Sequence, residues 1–167
     1  MKISPRYSFR GVTDISAKFL EKIGVRFLML DLDNTIAAYG EGALADDITM
    51  WAQDMKNSGI ELFIVSNSKR KERVESFAQT LASGYIWNAG KPSSRGVLQA
   101  MELAGFDAHE SALAGDQIFT DTLAANSAEV FSIIVRPIRC KNPLFALRYL
   151  FEQPFRMMCQ NKRQEVK

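Results

Sequence analysis

"FLMLDLDNTIAAYG", residues 27–40, decides how this chain is read. Phe27–Leu30 is wholly apolar, and it delivers two carboxylates, Asp31 and Asp33, with only Leu32 between them. A continuous apolar run suits a strand buried on both faces. Two like charges at the end of such a strand repel each other, and burial makes each one costlier. A chain that keeps them there has a use for them.

Working outward, two more clear strand patterns occupy 60–66 ("IELFIVS") and 131–135 ("FSIIV"), and weaker ones occupy 84–87 and 111–116. Helical patterns fall between them. Residues 14–23 follow a capping Asp14, and residues 45–58 stop before Gly59. Residues 69–82 stop before a Ser-Gly break. Residues 92–104 open on Pro92, where the missing N–H is harmless. A shorter helix is expected at 120–128. Strands alternating with helices predict one parallel α/β sheet of five strands.

In such sheets ligands bind at the carboxyl ends of the strands. The residues collected there are Asp31, Asp33, Asn34 and Thr35 from the first strand and Ser66 and Asn67 from the second. Lys91 follows the weak third strand, Asp116 ends the fourth, and Asp121 comes five residues later. This set has a chemical logic. A carboxylate is a competent nucleophile toward phosphorus. A magnesium ion and a lysine offset the phosphoryl charge, with hydroxyl and N–H donors helping. A second carboxylate serves as general acid, then as general base.

"DLDNT", "SNS", "KP" and "GDQIFTD", in this order, resemble the four motifs of the haloacid dehalogenase-like (HAD) superfamily. "SPRYSFRGVTDISAKFLEKIGVRFLMLDLDNTIA" and "IIVRPI" extend the resemblance to the YqeG-like branch of HAD subfamily IIIA, related to phosphatidylglycerophosphate phosphatases. The resemblance implies a Rossmann-like three-layer α/β/α domain with strand order 5-4-1-2-3 in the numbering of the five strands above. It implies Asp31 as nucleophile, Asp33 as general acid/base, and Ser66, Asn67 and Lys91 around the phosphoryl group. It implies Mg2+ on Asp31, Asp116 and the Asp33 backbone, with Thr35 and Asp121 in support.

The gaps between motifs hold no insert of the at least about 50 residues that a domain needs. An open site with no large cap domain is expected, with at most a small flap at 37–42. Open sites suit a lipid headgroup or a phosphate on a macromolecule.

The remaining bulk properties bound the alternatives. The chain has 167 residues, 47% hydrophobic and 24% charged, as in soluble globular proteins. The longest apolar runs fall short of the roughly 20 residues of a membrane span. The start of the chain lacks the apolar core of a signal peptide, so a cytoplasmic protein is expected. Cys140 and Cys159 suggest neither disulfide nor zinc. The net charge of +2 conceals a split. Residues 1–135 carry 13 Lys/Arg and 17 Asp/Glu, whereas residues 136–167 carry 8 and 2.

A core at 1–140 is expected, then an amphipathic helix at 141–160 and a disordered tail at 161–167. In that helix Leu144, Leu147, Leu150, Phe151, Phe155 and Met158 recur near helical spacing, with Arg148, Glu152 and Arg156 on another face. Pro154 should kink or end it near Gln153. The sequence leaves two readings open: packing on the core with the basic residues in water, or peripheral contact with the inner face of a membrane. Phosphatidylglycerophosphate is the favoured substrate. The alternatives are a phosphatase for soluble or nucleic-acid phosphates, or an RNA- or ribosome-associated binding protein.

Overall fold

The computed structural model describes residues 3–139, 143–159 and 161–162. Its centre is a parallel sheet. Strand β1 spans Tyr7–Ser8, β2 Phe27–Leu30, β3 Glu61–Val65, β4 Gly84–Ile86, β5 Ser111–Gly115, β6 Phe131–Ile134 and β7 Asn161–Lys162. The spatial order is β4-β3-β2-β5-β6-β1-β7. The five expected strands are β2 to β6, and their order is the expected one read from the other edge. The sheet is wider than the expected five. β1 and β7 are two residues each, too short to leave a periodic signal, and they extend the β6 edge. β7 also places structure inside the segment expected to be a tail.

Alternate residues of the strands feed two cores. Leu28, Leu30, Leu62, Ile64, Ala112 and Ala114 face helices α1 (Ala17–Lys22), α2 (Asp46–Asn57) and α3 (Lys71–Leu81). Phe27, Met29, Phe63, Val65 and Leu113 face α4 (Arg95–Ala104) and α5 (Leu123–Ser127). The result is a three-layer α/β/α sandwich. Burial on both faces is why the strands read as unbroken apolar runs.

Helix ends differ from expectation in two informative places. Asp14 does not start α1. It caps a preceding single turn by accepting from the Gly11 N–H at 2.9 Å, while the Ser16 hydroxyl accepts from the Phe19 N–H and caps α1. The helix expected at 120–128 is instead a π-helical turn, Ile118–Thr122, running into α5. Such turns carry one extra residue and often sit at functional sites.

The last helix, α6, spans Pro143–Met157 and continues through Pro154, where a kink or stop was expected. The lost N–H falls on an exposed turn, where water can serve the freed carbonyl. The following turn is held by the inward residues Phe155 and Arg156. Phe155 meets Phe119 edge to face, with ring centroids 5.6 Å apart. The sidedness of α6 reverses the simple pattern: Glu152 is buried, and Leu147, Leu150 and Phe151 are exposed. The side chain of Leu144 and all of 163–167 lie outside the described residues.

Candidate active site

The site forms where β2, β3 and β5 end together. Their in-register pairing, Leu30 beside both Ile64 and Ala114, brings the residues that follow each strand to one edge. Asp31, Asp116 and Asp121 each present a carboxylate oxygen there, and these oxygens lie within 4.8 Å of one another. All three residues are buried. Lys91 reaches into the cluster from the loop after β4. Its Nζ lies 2.6 Å from Asp31 Oδ1 and 2.6 Å from Asp121 Oδ1, and it donates to the Val65 carbonyl at 2.7 Å. The Thr35 hydroxyl donates to Asp31 Oδ2 at 3.3 Å, which fixes the second oxygen.

Asp121 gets there through local backbone chemistry. The π-helical turn swings it back over Gly115, and its Oδ2 accepts from the Gln117 N–H at 3.1 Å. A Cβ at Gly115 would lie 2.3 Å from the Asp121 carboxyl carbon, so only glycine leaves room. Asn34, next to Asp33, adopts φ +62°, a left-handed conformation that asparagine tolerates better than most residues. It lets the loop fold back so that the N–H groups of Thr35, Ile36 and Ala37 all turn toward the Leu32 carbonyl.

Ser66 is buried at the end of β3, and its hydroxyl accepts from the Ser68 N–H at 3.1 Å. Asn67 has a positioning role that the sequence did not disclose. Its side-chain amide donates to the Lys91 carbonyl and accepts from the Lys91 N–H, both at 2.8 Å. This two-way clamp holds the backbone that carries the lysine.

Asp33 stands apart. Its side chain is outside the three-acid cluster and pairs with Arg73 of α3 at 3.0 Å. Arg73 also lies over the Phe77 ring and donates to the Glu41 carbonyl, so it ties α3 to the small flap. Nothing in the local sequence around Arg73 announces this pairing. Arg156 was likewise unforeseen. It bonds the Asp116 carbonyl, donates to the Val135 carbonyl at 3.0 Å, and pairs with Glu152 at 3.1 Å. α6 is therefore fastened to the backbone of the acid cluster.

The electrostatics are unbalanced. Burial, opposed by Lys91 and reinforced by Asp121, pushes the Asp31 carboxyl up to about 6. Burial, with Asp121 and Asp31 beside it, pushes Asp116 up to about 8. Burial also works against the charge on Lys91, but Asp121 and Asp31 outweigh it and hold the ammonium above its usual range. Asp116 Oδ1 is buried with no hydrogen-bond partner. Orphaned buried oxygens in an acid cluster with one lysine call for more positive charge. An all-oxygen donor set fits a hard divalent ion such as Mg2+.

Comparisons with known proteins agree with this geometry. Residues 9–129 match the family of haloacid dehalogenase-like hydrolases. The chain is 28% identical over 129 residues to "Probable phosphatase YqeG" of Bacillus subtilis, covering 77% of this chain and 74% of that one. Its fold resembles the cobalt-bound deoxy-D-mannose-octulosonate 8-phosphate phosphatase of Haemophilus influenzae, with a TM-score of 0.56, 16% identity, and 76% and 74% of the two chains covered. It also resembles the 3-deoxy-D-manno-octulosonate 8-phosphate phosphatase of Moraxella catarrhalis, solved with magnesium and phosphate ions, with a TM-score of 0.54, 18% identity, and 88% and 81% covered. With its carboxylates and lysine at the strand ends and this match over residues 9–129, the chain belongs to the haloacid dehalogenase-like hydrolases.

Proposed function

We propose that this hydrolase is a phosphatase that cleaves phosphomonoesters through a phosphorylated Asp31, using Mg2+, and that its substrate is phosphatidylglycerophosphate. It would act at the inner face of a membrane. The observation that carries the chemistry is the Lys91 ammonium set between Asp31 and Asp121 at 2.6 Å from each, within the three-acid cluster.

Lys91 keeps Asp31 ionised and therefore nucleophilic despite its burial. An Asp31 oxygen attacks phosphorus, the bond from phosphorus to the ester oxygen breaks, and the electron pair leaves on that oxygen. Asp33 supplies the proton that makes it an alcohol. Asp33 is half-exposed and reaches the leaving group by exchanging Arg73 for it. Asp33 then takes a proton from water as the water oxygen attacks phosphorus, and Asp31 departs as a carboxylate with release of inorganic phosphate. Ser66 and the N–H of Asn67 serve the phosphoryl oxygens. Asp31, Asp116 and the Asp33 backbone would hold Mg2+, with Asp121 behind them. When bound, the ion neutralises charge on the carboxylates and the phosphoryl group.

The lipid assignment rests on the resemblance to the YqeG-like branch and on the open site; the flap at 37–42 is too small to enclose a substrate. Release of inorganic phosphate is measured from phosphatidylglycerophosphate, sugar phosphates and oligonucleotide ends, each with and without EDTA. The lipid should lead the panel, EDTA should stop every reaction, and Asp31→Asn should be inactive on all. Preference for a sugar phosphate or an oligonucleotide end would replace the lipid. Activity in Asp31→Asn would remove the nucleophile.

A further inference from the structure

Helix α6 wears its apolar side outward. Among the residues whose side chains are described, its exposed positions are 143, 146–147, 150–151 and 154, continued at 157–158, one stripe at helical spacing. Every residue in that stripe is apolar. Leu147, Leu150, Phe151, Met157 and Met158 are 50–67% exposed. Glu152 and Arg156 are turned inward. A surface helix of a water-soluble protein ordinarily does the reverse, and continuous exposed apolar stripes mark interaction sites.

Two considerations select the partner. A helix of 15 residues is about 22 Å long and, with side chains, about 10 Å wide. One such stripe offers a few hundred Å2, short of the roughly 800 Å2 per partner of a stable protein interface. A bilayer asks only for an apolar face lying in its plane. Charge points the same way. Residues 136–167 carry 8 Lys/Arg against 2 Asp/Glu; with Glu152, Arg148 and Arg156 engaged with one another beneath the helix, 6 Lys/Arg against 1 Asp/Glu remain. That balance attracts anionic lipid.

The position of α6 gives the contact a purpose. Its inner face bonds the Asp116 carbonyl through Arg156, so the stripe lies about one helix diameter from the catalytic cluster. Tyr39 and Ile138, both exposed, are tied by their N–H groups to Asn34 and carry apolar surface to the loop after β2.

We propose that the outward stripe of α6 docks the enzyme on an anionic lipid bilayer and so presents the catalytic site to headgroup phosphates. This deepens the lipid reading of the substrate and rests on it. The full chain is floated with phosphatidylcholine vesicles, with and without phosphatidylglycerol, at physiological salt. The variant Leu150→Glu/Phe151→Glu is treated alike, and both proteins are assayed on a soluble phosphomonoester.

The wild type should float with the anionic vesicles and much less with neutral ones. The variant should lose about 10- to 100-fold in partitioning, because two large apolar anchors are replaced by charges. Its soluble hydrolysis should stay unchanged. Equal flotation of variant and wild type, or no flotation of the wild type, overturns the proposal. So does a concentration-dependent dimer, seen by sedimentation velocity, that the variant abolishes, or salt-dependent capture of RNA in place of vesicles. Should the double variant lose soluble hydrolysis too, Met158→Glu replaces it under the same two criteria. Failure of docking with soluble hydrolysis intact leaves the phosphatase chemistry standing; that chemistry falls only with Asp31→Asn.

Discussion

Two networks of buried charge meet at residue 116. One is the acid cluster at the strand ends, with three carboxylates and one lysine, a net charge of −2 when all are ionised. The other lies under α6, where buried Glu152 faces Arg156 at 3.1 Å and Arg148 at 3.9 Å, a net charge of +1. Arg156 joins them by bonding the Asp116 carbonyl. The first network is short of positive charge, and burial, with acidic neighbours beside it, pushes Asp31 and Asp116 up. The second has its acid more than neutralised. The shortfall suits a site that must accept a cation, and the balance suits a latch. Burial of charge alone therefore does not mark an active site; buried carboxylates left short of positive charge are the better pointer.

That contrast can be broken at its strongest point first. Lys91→Met removes the one cation that the described residues place inside the acid cluster, while keeping much of the side-chain bulk. A loss of about 10³-fold in kcat is expected, of the size seen when a preorganised charge partner is deleted, with the fold retained by circular dichroism. The latch should fail in stability instead. Glu152→Gln leaves Arg156 buried without its partner and should cost about 3 kcal/mol in chemical denaturation. If it abolished turnover at full stability, the two networks would not be distinct in kind.

A third test probes fit rather than charge. Gly115→Ala places a methyl against the Asp121 carboxylate. Displacing that group by about 1 Å should lower kcat about 10²-fold and weaken the Mg2+ dependence.

The smallest effect is a difference between two pH values. Folding raises Asp31 from 3.8 to about 6 and Asp116 from 3.8 to about 8 in the metal-free protein. The folded state thus holds protons that the unfolded chain has released, so these groups make stability fall as pH rises from near 4 toward 8. On the proposed reading, Mg2+ would take the place of these protons. The rise in Tm on exchanging EDTA for Mg2+ should be larger at pH 8 than at pH 6, and an equal rise at both would deny that the ion and the protons share these carboxylates.

The contrast also separates what could be read in the sequence from what could not. β2 to β6 were visible because burial on both faces leaves unbroken apolar runs, and the polar residues at their ends follow from the fold class. β1 and β7 were invisible because two residues carry no period. Asp14 and Ser16 are both good caps, and only three-dimensional packing chose between them.

Pro154 was expected to kink or end α6; the helix does not end there, because the tertiary anchors of Phe155 and Arg156 outweigh one lost hydrogen bond. Arg73 and Arg156 act across long sequence separations, and nothing in their local spacing distinguishes a partner of a buried acid cluster from a solvated charge. Apolar spacing showed correctly that α6 has two faces; it could not show which one faces in.

The central claim is that Asp31 takes the phosphoryl group. Turnover of a labelled phosphomonoester is stopped with acid, and the peptide bearing Asp31 is analysed by mass spectrometry. The account predicts a phosphoryl group on Asp31 that hydroxylamine removes and that Asp31→Asn lacks. Steady turnover with that peptide unmodified, or with the label on another residue, would contradict it.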